Sequence, residues 1–321
     1  MLLPACAAGG SPSKTPGSAS PVPSATETPE ATAPPTVDAT QAKIDTGNGW
    51  LIGIAWADDA AWVASYTTGE LLRIDPNRNR VAARIKVGKG ALVVAAGAGS
   101  VWVTNHEGGT ISRVDPRTNA VTATFTAGDQ VEGIAIGFGS VWATLEPTGE
   151  LLRLDPATGA IQARLKVGAG PRHVEAGADA VWVTGAFSND LRRVEPATNT
   201  VGPRIRSGAG SEGIAPAASD RVWVSALRDG SVSEVDTRSG QVRHQIRVGD
   251  GVEGLLLMGD SLWAVCQTNQ TIWRLDAATG RPLGAARIGR EGRRVVFGAG
   301  SLWVPTRDGT VWRLDPSKIP G

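Results

Sequence analysis

Cysteine is almost missing from this chain of 321 residues, with Cys6 and Cys266 the two present. Thiols so far apart supply neither a disulfide framework nor the spacing of a zinc site. Long apolar runs are missing as well, and without a stretch of about 18 apolar residues nothing crosses a bilayer as a helix. Neither charge sign is in excess: 32 Lys and Arg stand against 31 Asp and Glu. A net charge of +1 gives no electrostatic footprint for nucleic acid and no steering toward acidic lipid. Helix formers do not gather into stretches of period 3.6. Val, Trp, Thr and Gly recur instead in short alternating bursts, and the chain is read as all β.

Residues 7–40 are rich in Pro, Ser and Thr and charged only at Lys14, Glu27, Glu30 and Asp38. Such a segment buries too little apolar surface to offset its ordering entropy, so a disordered tether is expected. Just ahead of it, Leu3, Pro4, Ala5 and Cys6 resemble the bacterial lipobox, whose cysteine is acylated. The resemblance implies a lipidated Cys6, an extracytoplasmic protein held to the cell membrane through its lipid anchor alone, and a signal peptide upstream of Met1 and Leu2.

The decisive feature is a period. Trp62, Trp102, Trp142, Trp182, Trp223, Trp263 and Trp303 are spaced by 40, 40, 40, 41, 40 and 40 residues. Each is followed at near-fixed distance by an acid: Asp75, Asp115, Asp155, Glu195, Asp236, Asp276 and Asp315. A period near forty indicates a propeller or solenoid. Within the unit Val131 to Gly168, four alternating segments (VEGIAIG, SVWATLE, GELLRLDP, AIQARLKVG) are separated by Gly-rich or DPATG turns. Four strands per repeat make a propeller blade. The seventh unit stops at Asp315 and Pro316 without a fourth strand, whereas the segment from Ala42 to Gly47 looks like the fourth strands elsewhere. The expected fold is therefore a seven-bladed β-propeller of four-stranded blades over residues 41–316, closed by its N-terminal strand, with a tail at 317–321. Closure removes the open edges that invite association, and a monomer is expected.

Most conspicuous residues have a structural use in this scheme. The seven Trp side chains fill the wedge between radial sheets. The DPxT segments are turns in which Asp accepts backbone N–H bonds. Arg73, Arg113, Arg153, Arg193, Arg274 and Arg313 precede the acids by two residues, and an exposed Arg and Asp ladder is expected there. Cys266 reads as a small buried hydrophobe and His244 as structural.

Function is sought where a repeat departs from its siblings. The first strand usually opens with Gly, Ile, Ala, but the fourth repeat has His173 and Glu175 at the Gly and Ala positions. These two must be partnered close to the channel, either as a mutual clamp or as a ligand or proton-transfer site. The residue before the Gly position is, in order, Ile52, Leu92, Glu132, Arg172, Glu212, Glu253 and Arg293. At one height around the channel mouth, these seven give an apolar wall over two blades and charges over five, a plausible ligand pocket. Tyr66, Asn105, His106, Arg228, Gln267 and Arg307 are expected to join them from the loops between second and third strands.

The pattern GIA, GSVWVT, GTISRVDPRTN, VTATFTAG resembles the YVTN (YncE-like) seven-bladed propellers and, more distantly, the streptogramin B lyase propellers. The second resemblance implies an elimination that opens a cyclic depsipeptide ester with His, Glu and a magnesium ion at the channel mouth. Lyase blades read PHGI followed by WFTE; here Pro171, Arg172 and His173 approximate the first element. The acid three residues after the Trp is replaced by Ser65, Asn105, Leu145, Gly185, Ala226, Cys266 and Thr306. The first reading is accordingly a surface-anchored binding propeller for a small ligand or protein partner, without an assigned cofactor. The lyase, with His173 and Glu175 as its catalytic candidates, is the alternative.

Overall fold

A computed structural model describes residues 32–321 apart from Asn48, Ala178 and Ser219. Cys6 and the tether up to residue 31 lie outside the described residues. The ring has seven sheets, each an antiparallel meander running outward from the channel. Blade 1 contains Leu51–Ala57, Ala60–Ser65, Glu70–Asp75 and Arg80–Lys86. The innermost strands of blades 2 to 7 are Ala91–Gly97, Val131–Gly137, Pro171–Ala176, Ser211–Ala218, Val252–Met258 and Val296–Gly298. Blade 7 is completed by Thr40–Asp45 on Thr310–Leu314, with Ile44 opposite Val311. The closing strand is thus the one the sequence pattern indicates.

Burial grades outward as a radial sheet requires. The second strand of blade 3, Ser140–Leu145, is buried at every residue, whereas the outermost strand of blade 2, Ala120–Thr126, is mostly exposed. All seven repeat Trp side chains are among the largest fully buried groups. Several also pin the first hairpin of their blade: Trp62 Nε1 donates to Ala57 O at 2.9 Å and Trp142 Nε1 to Gly137 O at 3.1 Å.

Three expectations need correction. Pairing starts ahead of residue 41: Thr36–Val37 adds a parallel fifth strand to blade 6 on Pro282–Arg287, and Ala39 is buried. The segment 317–321 is packed rather than trailing, since Ile319 is buried in the core cluster that contains Trp263 and Leu302. Apart from Arg193, which meets Glu195 at 3.3 Å, the Arg residues of the third strands do not pair with the acids two residues on. Arg113, Arg153 and Arg313 lie over the Trp of their own blade, 5.9, 5.0 and 4.8 Å from the ring centroid. Their guanidinium groups then reach the proline turn of the next blade, as Arg113 Nη1 does to Pro156 O at 2.9 Å and Arg153 Nη1 to Pro196 O at 2.6 Å. They are clamps between blades.

Candidate functional site

In blades 1 to 6 the mouth residues sit where the innermost strand slips register, whereas Arg293 precedes the short innermost strand of blade 7. In blade 3 the shift falls between Val131 and Ile134, in blade 4 between Pro171 and Val174, and in blade 5 between Ser211 and Ile214. Such a bulge leaves two residues out of the ladder and re-aims their side chains. The second of the two is Gly in four blades because the next blade comes too close. A Cβ on Gly133 would lie 2.3 Å from Arg172 O, and one on Gly213 2.0 Å from Glu253 O.

A hydroxyl two residues after the Trp sews these bulges together. Thr144 Oγ1 accepts from Gly133 N at 2.8 Å and donates to Arg172 O, in the next blade, at 3.3 Å. Ser225 repeats the pattern with Gly213 N at 2.7 Å and Glu253 O at 2.6 Å. Thr104 and Thr184 donate to the carbonyls of Glu132 and Glu212 at 2.8 and 2.6 Å. Its mark in the sequence is Thr or Ser two places past four of the seven Trp residues, a pattern that comparison of the innermost strands alone does not reach.

The mouth side chains then pair around the ring. Arg172 lies 2.9 Å from Glu146 and 3.3 Å from Glu212. Glu253 accepts from Gln267 Nε2 at 3.1 Å and lies 3.8 Å from Arg293. Glu132 meets His106 at 3.3 Å. Burial, reinforced by the neighbouring Glu253 charge and opposed by Arg172, pushes the Glu212 carboxyl up to about 8. Burial raises Glu132 to about 7 and also raises Glu253, against the pull of Arg293. Burial holds His106 below the usual imidazole range.

On the apolar side, Ile52 and Leu92 are buried in one cluster, with Trp50 and Tyr66 packed against it. Trp50 adopts φ 50°, a region a bulky side chain seldom visits. It stacks 4.7 Å from Tyr66, with the Arg307 guanidinium 4.9 Å over its ring. Asn105 does not reach this rim. It is fully buried and donates to Thr110 and Ser112, both at 2.9 Å. Arg228 turns to Ala186 O at 2.6 Å.

His173 and Glu175 lie deeper, in the channel itself, with Nε2 to Oε2 at 3.5 Å. Their environment contains a residue the repeat comparison missed. Arg294, at the Gly position of blade 7, crosses the channel and bonds His173 Nδ1 through Nη1. Arg293 was read as a mouth residue while its neighbour went unremarked. The Glu175 side chain is 44% exposed, but to the channel lumen, and the surrounding protein pushes its carboxyl up to about 7. Cys266 is fully buried and its thiol is pushed up to about 12 by burial.

A magnesium ion of the kind the lyase resemblance implies needs carboxylates free to converge. At this mouth Glu132, Glu212 and Glu253 each face a donor or cation of the chain itself. Among the described residues no group of three or more His, Cys, Asp or Glu is placed to hold an ion. As arranged, these residues do not fit the metal, and no chemistry is routed through it.

No family model matches the chain, and no curated protein matches it in sequence. Solved structures match in number, with 1417 chains similar in fold. Virginiamycin B lyase from Staphylococcus aureus is similar with a TM-score of 0.74 and 17% identity, over 85% of this chain and 98% of that one. A chain of Kuenenia stuttgartiensis hydrazine synthase gives 0.75 and 12%, over 88% and 99%. The Neurospora crassa Pan2 WD40 domain gives 0.71 and 10%, over 89% and 99%. Proteins with unlike names share this ring at low identity. The likeness therefore establishes a seven-bladed propeller with streptogramin B lyase-like structural neighbours, and leaves the function to be argued from individual residues.

Proposed function

We propose that the chain is an extracytoplasmic binding propeller, tethered to the bacterial membrane through a lipidated Cys6, that presents its channel mouth to a small ligand or protein partner. One observation carries the reading: the mouth face gathers much of what the repeats do not share. There the equivalent positions change from Ile52 and Leu92 to Glu132, Arg172, Glu212, Glu253 and Arg293. The loops add Trp50, Tyr66 and His106, and Phe187 stands 57% exposed with the Arg172 guanidinium 5.5 Å over its ring. On the opposite face the Asp-Pro turns recur in most blades, as at Asp75, Asp115 and Asp155, where the carboxylate caps backbone N–H groups. An exposed aromatic ring beside partly exposed cations is the composition of an interaction hot spot.

The test uses the protein exported with a functional signal peptide. Wild type should partition with membranes and Cys6→Ser should release it. A Phe187→Ser, Arg172→Gln double variant should lose at least tenfold affinity for whatever ligand or partner wild type retains. Retention of that affinity by the folded double variant counts against the mouth as the site.

A further inference from the structure

The channel is closed at one level and open below it. Val93, His173 and Arg294 occupy three of the seven positions where the other blades have Gly, and beneath them lies a cavity of about 600 Å³. It runs along the innermost strands toward the face opposite the mouth. Burial lapses in that direction: in Val252–Met258 the first three residues are buried and the last four half-buried. Trp56, Ile136 and Leu255 give the walls an apolar part, polar atoms make up rather more of the exposed lining, and the titratable groups lining the cavity are His173, Glu175 and Arg294. This volume lies within the roughly 300–1,000 Å³ of small-molecule sites, which pair apolar walls with a few fixed polar groups.

The charges at the closed end are unevenly matched. Glu175 is paired with His173 at 3.5 Å. Among the described residues Arg294 bonds that imidazole alone, through Nη1, and its Nε is buried with no hydrogen-bond partner. No carboxylate among the described residues comes within ion-pair distance of it, although Glu132 acts on it from behind. A guanidinium that lines a pocket with no carboxylate beside it calls for an oxyanion, which it binds in a planar, often bidentate geometry.

We propose that this lumen is a second binding site, entered from the face opposite the mouth, for a small amphipathic carboxylate. Its head group lies on Arg294 and His173, and its hydrocarbon body lies against Trp56, Ile136 and Leu255. The site is independent of the mouth and stands or falls without it. Glu175 sets its pH dependence. The charged groups facing Glu175 are His173 and, across the channel, Arg294. With its carboxyl pushed up to about 7 by the protein that encloses the lumen around it, Glu175 opposes an anion at pH 8, whereas at pH 6 the protonated form can donate to the bound carboxylate. Binding is thereby linked to proton uptake and tightens as pH falls.

The probes are octanoate, octanol and octylammonium, titrated calorimetrically and by tryptophan fluorescence at pH 6 and pH 8. Wild type should bind octanoate at least tenfold more tightly than octanol, and more tightly at pH 6 than at pH 8. Arg294→Met should lose at least tenfold. Glu175→Gln should bind at pH 8 about as wild type does at pH 6, with the pH dependence gone. Ile136→Trp, which fills the lumen and leaves the charged groups in place, should also lose binding and covers the case in which Arg294→Met does not fold. Thermal midpoints identify the folded variants. No octanoate binding by wild type, tighter binding of octylammonium, or equal octanoate affinity in folded Arg294→Met each overturns the proposal.

Discussion

Four of the mouth residues are held differently from the other three. The carbonyls of Glu132, Arg172, Glu212 and Glu253 each accept a hydroxyl from the preceding blade, at 2.8, 3.3, 2.6 and 2.6 Å. Ahead of Ile52, Leu92 and Arg293 the equivalent places are taken by Pro305, Ala64 and Val265, which have no hydroxyl to give. The pinned residues are charged and reach sideways for their partners, so any play in the bulge would lengthen their ion pairs. Ile52 and Leu92 need no such bond because packing holds both in a single cluster. Arg293 is the exception that defines the rule. It is charged and unpinned, its Nε is buried without a hydrogen-bond partner, and it stays 3.8 Å from Glu253. A functional surface with pinned backbone and paired side chains is preorganised on one arc of the ring and looser on the other.

The largest effect is expected in the looser arc, where the ring is also closed. Deleting residues 1–47 removes Thr40–Asp45 and opens the edge of Thr310–Leu314. The loss should exceed about 4 kcal/mol or abolish cooperative unfolding. Among the described residues, deleting 1–38 removes the Thr36–Val37 pairing on blade 6 with the Pro35 carbonyl that accepts from Ala285 N, and the Asp38 cap on Thr40, and should cost far less. Urea unfolding of the two truncations decides the matter, and equal midpoints would mean that the closing strand does not close the ring.

In the pinned arc, Thr184→Val should leave the buried Glu212 carbonyl without its donor. The expected cost is about 1–3 kcal/mol, with Thr184→Ser restoring most of it. A Val substitution as stable as wild type would show that packing alone holds the bulge.

The paired charges predict how stability varies with pH. Glu212 at about 8, with Glu132 and Glu175 at about 7, lie above the ordinary carboxyl value of 4.5. Over that interval the folded chain binds more protons than the unfolded chain. The stability these groups supply is therefore complete in acid and is lost as pH rises through 7 to 8. The capping Asp residues act oppositely. Asp75, Asp155 and Asp276 are held below the usual range by hydrogen bonds in their turns, and their contribution is lost only as pH falls below about 4. The melting temperature should accordingly be several degrees higher at pH 5 than at pH 8. Glu212→Gln should remove the largest single share of that slope and Glu253→Gln a further part, through the relief of their mutual repulsion. A melting temperature that climbs from pH 5 to pH 8 would contradict the burial of these carboxyls.

The ring was legible because its signals are periodic. Trp every forty residues marks the wedge between sheets, and a missing fourth strand at Pro316 points to Ala42–Gly47 as its replacement. The site was legible only in part. Contrast between repeats picks out His173 and Glu175 and lines up the seven mouth residues, because those are substitutions at fixed positions. It does not show that Arg294 meets His173, since the two lie 121 residues apart and only closure of the ring brings them together. Nor does it show that Asn105 points inward to Ser112 while His106, its neighbour, points to the mouth. That division is set by the direction of one strand end and carries no compositional mark. The third-strand Arg residues were misjudged for a related reason. Strand periodicity places Arg and Asp on one face, but the Trp rings beneath Arg113, Arg153 and Arg313 guide these side chains to the next blade.

The smallest effect offers the sharpest test of the difference between the arcs. Val265 occupies in blade 6 the place that Ser225 has in blade 5, and Arg293 O stands to it as Glu253 O stands to Ser225. The close approach is already present, since a Cβ on Gly254 would meet Arg293 O at 2.3 Å. Val265→Thr keeps the side-chain shape and introduces one hydroxyl beside that carbonyl. If the pin is a matter of one atom, the substitution should be neutral or stabilise by up to about 1 kcal/mol. It should also slow hydrogen exchange at Gly254, the N–H the new hydroxyl would accept. If the looser arc instead depends on an apolar contact at this point, the buried hydroxyl finds no partner and the same change costs about 1–3 kcal/mol. Measured beside Thr184→Val, the sign of this one difference separates a pinned mouth from a merely packed one.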